Sequence, residues 1–254
     1  MFSELRKKYI SNPCKEDLKY IAKYADKYRV KTLVNNFNIP SLSTAKILGT
    51  YKCFDDIDIN VLPRKFVIKC NHWCGDSKII DSHDTFHKKY NNLKTHFNSK
   101  INKVYRNGAE PHYSHIPPIL FIEEYLNIEK YEYKLFCIWG EPVIIQYVHC
   151  NNSSTLYSIN KKKLNSKFMN QNSAAFQPDN TICDNVIEIA RILTKEMPFV
   201  RLDFFITNDE KKIYFGEYTF TPMGCANIFN SKLSELLYTF YKTKEFNHNL
   251  IEQC

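Results

Sequence analysis

Residues 198–222 read PFVRLDFFITNDEKKIYFGEYTFTP. Val200, Leu202, Phe204 and Ile206 alternate with Arg201, Asp203 and Phe205, the period-2 pattern of a strand. A polar turn spans residues 207–212. Ile213 and Phe215, then Tyr218 and Phe220, resume the strand pattern. The stretch is therefore a hairpin that projects Asp203 and Glu217 from two adjacent strands, amid residues expected to be buried. A buried carboxylate is costly unless it is paired or bound to a cation, and two carboxylates close together repel. Mg²⁺ takes oxygen ligands, often one or two carboxylates plus phosphate oxygens of a nucleotide. The pattern points to a Mg²⁺–nucleotide site. The other reading of the same residues is a structural network in which Arg201 pairs Asp203 or Glu217.

The chain has 254 residues, enough for one large domain or two small lobes sharing a cleft. Hydrophobic residues make up 44% and aromatics 15%, so a sizeable core is expected and disorder is not. With only 6 Gly, any glycine-rich phosphate loop must be minimal. No apolar run reaches about 18 residues, and the opening MFSELRKKYISNP has no signal-peptide apolar stretch. A soluble, cytoplasmic chain without a transmembrane segment is the expectation. The 9 cysteines are scattered, which suits free thiols rather than a disulfide framework. The formal net charge of +8 favours anionic partners: nucleotides, acidic glycans, nucleic acid or a membrane surface.

Residues 1–36 read as helical, and 45–51 as a short strand. Residues 64–70 (RKFVIKC) are a strand that runs into the turn Asn71–Ser77. Residues 83–103 are helical and basic. Residues 119–126 (ILFIEEYL) are an apolar strand that exits through Glu123 and Glu124. Residues 133–139 and 143–149 form a hairpin around Gly140. Residues 150–180 read as a long polar surface loop, 181–196 as an amphipathic helix and 232–241 as a final helix.

This order of parts resembles an ATP-grasp enzyme and, more closely, the TupA-like ATP-grasp family, named for teichuronopeptide biosynthesis. The matching pieces are DKYRVK (26–31), LPRKFVIKCNH (62–72), PPILFIEEYL (117–126), YKLFCIWGEP (133–142), FVRLDFF (199–205) and IYFGEYTFTP (213–222). Several collinear motifs over nearly the whole chain are more specific than any lone one. The resemblance implies an α+β, ATP-grasp fold, in which two α+β lobes with antiparallel sheets clamp ATP, preceded by a short helical N-terminal extension. The expected division is a helical segment over 1–60, a first lobe over 61–126 and a second over 127–254.

The resemblance also implies roles. Lys69 lies where the family places a lysine on the α/β-phosphates. His72 and Gly75 fall in the loop whose backbone N–H groups cover the phosphates. Trp73 stands there where the family usually has glycine. Glu123, Glu124, Tyr125 and Leu126 resemble the hinge that meets adenine and ribose. Lys134 resembles the second phosphate-contacting basic residue. Asp203 and Glu217 resemble the Mg²⁺ carboxylates, with Thr219 as a third oxygen ligand. Arg201 lies where it could hold the transferring phosphoryl group by bidentate bonding. Lys134 and Arg201 are the candidate catalytic residues, and ATP and Mg²⁺ the implied cofactors.

The implied reaction is ATP-dependent carboxylate–amine ligation through an acyl-phosphate, on a uronic acid or amino acid of a surface polysaccharide. The partners are small-molecule or glycan-linked carboxylates and amines rather than nucleic acid, with peripheral association with polysaccharide assembly machinery. Two alternatives stand beside it: an ATP-dependent phosphotransferase (a kinase) acting on a sugar or glycan, and a non-catalytic glycan-binding relative.

Overall fold

The computed structural model describes residues 1–105, 108–150, 153–166 and 178–254. The chain forms two compact units. One comprises Cys14–Leu33 and Thr44–Leu126; the other comprises Met1–Pro13, Val34–Ser43 and Asn127–Cys254. Residues 1–60 therefore do not stand apart as a helical segment. Their helices and strands are shared between the two units, Cys14–Leu33 and the stretch from Thr44 going with one and Met1–Pro13 and Val34–Ser43 with the other.

In the first unit, β2 (Ile47–Tyr51), β5 (Leu120–Glu124), β3 (Phe66–Cys70) and β4 (Lys78–Ile80) make an antiparallel sheet in that order. Strand alternation puts Phe66, Ile68, Cys70, Leu120 and Ile122 on one face. There they meet the apolar side of α4 (His83–Ile101) through Phe86, Leu93 and Phe97. Ser82 caps α4 by accepting from the Thr85 N–H at 3.1 Å. Phe54 stacks on Phe86 and Phe97 at centroid distances of 5.5 and 6.0 Å. The opposite face of the same strands carries Lys69, Phe121 and Glu123. α2 (Lys15–Ala25) and α3 (Val30–Asn35) precede this sheet. The ring of Tyr28, between them, meets Phe121 at 5.8 Å.

In the second unit, the order is β1 (Leu42–Ser43), β10 (Ile213–Thr219), β9 (Val200–Thr207), β6 (Ile128–Ile138), β7 (Glu141–His149) and β8 (Ser154–Ser158). The short β1 pairs parallel to β10, and every other pair is antiparallel. Val200, Leu202, Phe204 and Ile206 are each buried on one face, as their alternation requires. α5 (Asn180–Leu193) buries Val186, Ile189, Ala190 and Leu193. α1 (Phe2–Arg6) adds Phe2 against Phe199 and Phe229. α6 (Ser231–Thr243) and α7 (His248–Ile251) complete this unit.

Residues 150–180 are not one polar loop: they contain β8, whose five residues are all buried. Ser154, Thr155 and Ser158 hide the strand from an apolar-alternation reading, yet the free edge of β7 satisfies their backbone. Residues 151–152 and 167–177 of that stretch lie outside the described residues.

α5 is tied to β7 by charge. Arg191 donates from Nε and Nη2 to the Glu141 carboxylate at 3.1 and 2.9 Å, and His248 Nε2 stands 3.2 Å from it. Burial is the largest single influence on Glu141 and opposes ionisation. The bonds from His248 and Arg191 outweigh it and hold the carboxyl at about 2. The folded value lies below the unfolded one, so this stabilisation is present above about pH 4.5 and is lost as pH falls through about 2. Because Glu141 is partly exposed, the effect is smaller than for a dry pair. Urea midpoints measured from pH 6 down to 2 should fall less steeply for Glu141→Gln than for the wild type. Parallel profiles would contradict this account.

Candidate active site

The hairpin β9–β10 holds a β-bulge where the sequence shifts parity. Phe215 pairs with Phe204, but Glu217, not Gly216, pairs with Asp203. The extra residue is Gly216, and it fits because a Cβ there would stand 2.7 Å from the Asp203 carbonyl oxygen. The shift moves Glu217 onto the face of Asp203 while Tyr218 stays with Leu202 on the buried side. Lys134 of β6 pairs with Asp203 from the other flank. Three adjacent strands thus carry Lys134, Asp203 and Glu217 in one row, with Arg201 and Thr219 in the next row along.

The bonding within this cluster centres on Asp203. Arg201 donates to it from Nε at 2.6 Å and from Nη2 at 2.8 Å, a bidentate fork. Lys134 Nζ donates to Asp203 Oδ2 at 2.7 Å and also meets Glu132 Oε2 at 2.8 Å. Thr219 Oγ1 accepts from Arg201 Nη2 at 3.2 Å and donates to Glu217 Oε1 at 3.0 Å. Arg201 Nη2 and Glu217 Oε1 are 3.8 Å apart. Asp203 is 4% exposed and Arg201 is 9% exposed, whereas 36% of the Glu217 side chain is open. Burial is the largest influence on both Arg201 and Lys134 and disfavours their charge. The Asp203 carboxylate outweighs it and holds both above their ordinary values.

The structure thus realises the Arg201–Asp203 pair that the sequence left open, and brings all five expected residues of this unit together. It adds Glu132, which the sequence reading passed over although it lies two residues before Lys134 on the same strand face. Three carboxylates (Glu132, Asp203, Glu217) face two cations (Lys134, Arg201), a formal balance of −1. The donors of Asp203, Glu217 and Thr219 are all oxygen and the surplus charge is negative, so the residues present fit a hard dication.

The other unit repeats the arrangement with different residues. Glu123 is 5% exposed and its carboxylate is bound by Lys69 Nζ at Oε1 and by Lys31 Nζ at Oε2, the latter at 2.9 Å. Lys31 also donates to the Ala45 carbonyl at 3.1 Å. Burial alone would raise the Glu123 value, but the charges of Lys69 and Lys31 overcome it and bring it below the ordinary range. Burial lowers the Lys31 value, with Glu123 opposing. Lys31 belongs to the DKYRVK stretch, but no local pattern announces its pairing with a strand 92 positions further on.

The remaining candidates fall as follows. Glu124 accepts from the Lys46 N–H at 2.8 Å, so its carboxylate fastens β5 to the chain entering β2. Tyr125 and Leu126 lie just past the end of β5, and Lys65 Nζ stands 5.1 Å from the Tyr125 ring centre. The His72 ring is buried, with Nδ1 3.2 Å from Asn71 Oδ1 and Nε2 3.3 Å from the Lys100 carbonyl, and burial lowers its pKa. The His72 ring is thus taken up by contacts inside its own unit. Gly75 is exposed with φ +60°, a left-handed conformation, and open space around its Cα. The bulk of Trp73 is absorbed by packing: its ring meets Tyr105 at 4.7 Å and Lys100 Nζ at 4.5 Å. Asp76, bonded to His96 at 2.5 Å and Lys100 at 2.9 Å, fastens this loop to α4.

The sequence of the chain matches the description "TupA-like ATPgrasp" over residues 5–242, and the chain belongs to the TupA-like ATP-grasp family. Among solved structures, it is similar to an L-amino acid ligase from Bacillus licheniformis (10% identity, TM-score 0.53). That match covers 82% of this chain and 46% of the ligase. It is also similar to D-alanine–D-alanine ligases from Bacillus anthracis and Helicobacter pylori. The former has 14% identity and TM-score 0.51, covering 91% of this chain and 66% of that one. The latter has 14% identity and TM-score 0.50, covering 87% and 61%. At these identities the likeness establishes the ATP-grasp fold, and the chain spans about half to two thirds of the length of these ligases. A search of curated proteins finds no match to the chain.

Two substitutions test the geometry. Gly216→Ala forces a methyl group against the Asp203 carbonyl and should lower stability by about 1–3 kcal/mol in urea denaturation. An unchanged midpoint would mean that the bulge is not constrained as described. Lys31→Met leaves Glu123 with Lys69 as its one cation and should cost about 1–3 kcal/mol. Adding Glu123→Gln should recover part of that loss, since an uncharged amide needs no counter-ion. A Lys31→Met protein as stable as the wild type would contradict the pairing.

Proposed function

We propose that the protein is an ATP-dependent carboxylate–amine ligase that forms an amide through an acyl-phosphate. Its substrate in this reading is a uronic acid or amino acid of a surface polysaccharide. The observation that carries the reading is the row Lys134, Asp203 and Glu217 with Arg201 beside it on one sheet face. Family membership supports the same chemistry. The polysaccharide substrate rests on the family resemblance alone, and the net charge of +8 is compatible with an acidic acceptor.

In this reading, a substrate carboxylate oxygen attacks the γ-phosphorus of ATP. The bond from that phosphorus to the bridging oxygen breaks, and ADP leaves. An amine lone pair then attacks the acyl carbon, the carbon–oxygen bond to phosphate breaks, and the amine loses a proton as the amide forms. Lys134 and Arg201 supply fixed positive charge to the transferring phosphoryl oxygens. They need little reorganisation because Asp203 already orients them. Lys69, held by Glu123, serves the α/β-phosphates, and the Gly75 loop contributes backbone N–H groups. Mg²⁺ on the oxygens of Asp203, Glu217 and Thr219 would offset phosphate charge. No helix among the described residues is long and apolar enough to cross a membrane.

The direct test is incubation with ATP, Mg²⁺ and a panel of uronic and amino acids, using hydroxylamine as the amine. A hydroxamate with stoichiometric ADP supports the ligase. ADP without hydroxamate, together with a phosphorylated sugar, would replace it by a phosphotransferase. No nucleotide turnover and no nucleotide binding would favour a glycan-binding relative. Asp203→Asn and Glu217→Gln should each lower turnover by at least about 100-fold, the order expected for losing one preorganised electrostatic element. Full turnover in either variant would remove the metal assignment.

A further inference from the structure

The polar row does not end at Lys134. On β7, Gln146 pairs directly with Lys134, so the row across four strands reads Gln146, Lys134, Asp203, Glu217. Directly opposed residues share a sheet face with Cβ atoms about 4.5–5.5 Å apart. Gln146 is 2% exposed, and its Oε1 has no hydrogen-bond partner. Its neighbour Lys134 gives its ammonium group to Asp203 and Glu132 instead. Ile144, two residues earlier on the same face, and Leu156, opposite on β8, are apolar and buried.

Buried side-chain polar atoms in native proteins nearly always find a partner, and one that does not weakens the fold. An apolar side chain of the same length would match Ile144 and Leu156 and carry no such penalty. An orphaned buried atom in a native fold calls for an explanation, and a functional role is one. The amide carries no charge and can both accept and donate. A hydroxyl or amide group, which also does both, is its natural partner. A second anionic group would instead need a cation, and both cations of this face are already bound to Asp203.

We infer that Gln146 is a substrate-binding residue that hydrogen-bonds a neutral hydroxyl or amide group of the acid activated beside Lys134 and Arg201. This inference rests on the ligase reading and narrows it: the acid carries a neutral hydroxyl or amide donor that reaches Gln146 Oε1, as a uronic acid does and a simple apolar amino acid does not.

The test compares wild type with Gln146→Met, a change that keeps length and removes the amide. Two readouts should move in opposite senses. Thermal stability should rise by about 2–4 °C, because a buried amide oxygen without a partner is replaced by an apolar group. In the hydroxylamine assay with D-glucuronic and D-galacturonic acids, KM for the acid should rise about 10-fold, the worth of one hydrogen bond, with KM for ATP unchanged. A lower melting temperature with unaltered KM would assign the amide to the fold and overturn the inference. Unaltered KM in a variant of unchanged or raised stability would overturn it equally. A wild-type protein that uses only apolar amino acids would overturn the substrate class. If the wild type makes no hydroxamate from any acid, the ligase reading fails and this inference falls with it. Active wild type with an indifferent variant removes Gln146 alone.

Discussion

Burying the Asp203 carboxylate is the constraint around which the larger sheet is organised. At 4% exposure the carboxylate needs counter-charge, and it takes it from Arg201 on its own strand and Lys134 on the next. Arg201 is in turn buried and the Lys134 side chain is 16% exposed, and each is kept charged by the same carboxylate. Removing any one member would leave an uncompensated charge in a dry environment, which is far costlier than replacing the whole set. The bulge at Gly216 then brings Glu217 to the open side of the cluster, where its side chain is partly exposed. What results is a rigid, charged face whose groups are fixed before any ligand arrives, the condition under which electrostatic groups act most strongly on a reaction.

The smaller unit solves the same problem independently. Glu123 is buried and held by Lys31 and Lys69, one from a helix and one from the neighbouring strand. Both units thus place a buried acid between two basic side chains. A lysine held in this way keeps its position, whereas a free surface lysine samples many rotamers. The loop from Asn71 to Asp76 is anchored likewise, through the Asn71 side chain to the Pro117 carbonyl and the Ile119 N–H, and through Asp76 to α4. Trp73, bulky for such a loop, is accommodated because its ring packs on Tyr105 and Lys100.

Alternation of apolar and polar residues made β9, β10, β3 and β5 legible, and with them the side of each sheet on which Asp203, Glu217 and Lys69 stand. The parity change between Phe215 and Tyr218 is where the bulge falls, although the alternation was read straight through it as one strand. The identity of the partners was not legible in the same way. Lys31 meets Glu123 across 92 positions, and periodicity says which face a side chain takes but not which distant cation meets it. The His72 ring illustrates the converse. Nothing in a glycine-containing turn announces a buried ring, yet its contacts with Asn71 and the Lys100 carbonyl put it inside. β8 escaped because Ser and Thr replace the apolar residues that announce a strand, although its backbone bonds to β7 as any strand would. Glu132 was readable from its spacing to Lys134, and Gln146 only from the strand register.

Isothermal titration with a non-hydrolysable ATP analogue, with and without Mg²⁺, on wild type and Glu217→Gln, tests the central claim most directly. Glu217 is the partly exposed carboxylate, so its replacement leaves the buried Asp203 cluster intact. The account expects Mg²⁺-dependent binding by the wild type and loss of that dependence in the variant. Equal binding with and without the metal, or a variant that responds to Mg²⁺ as the wild type does, would contradict it.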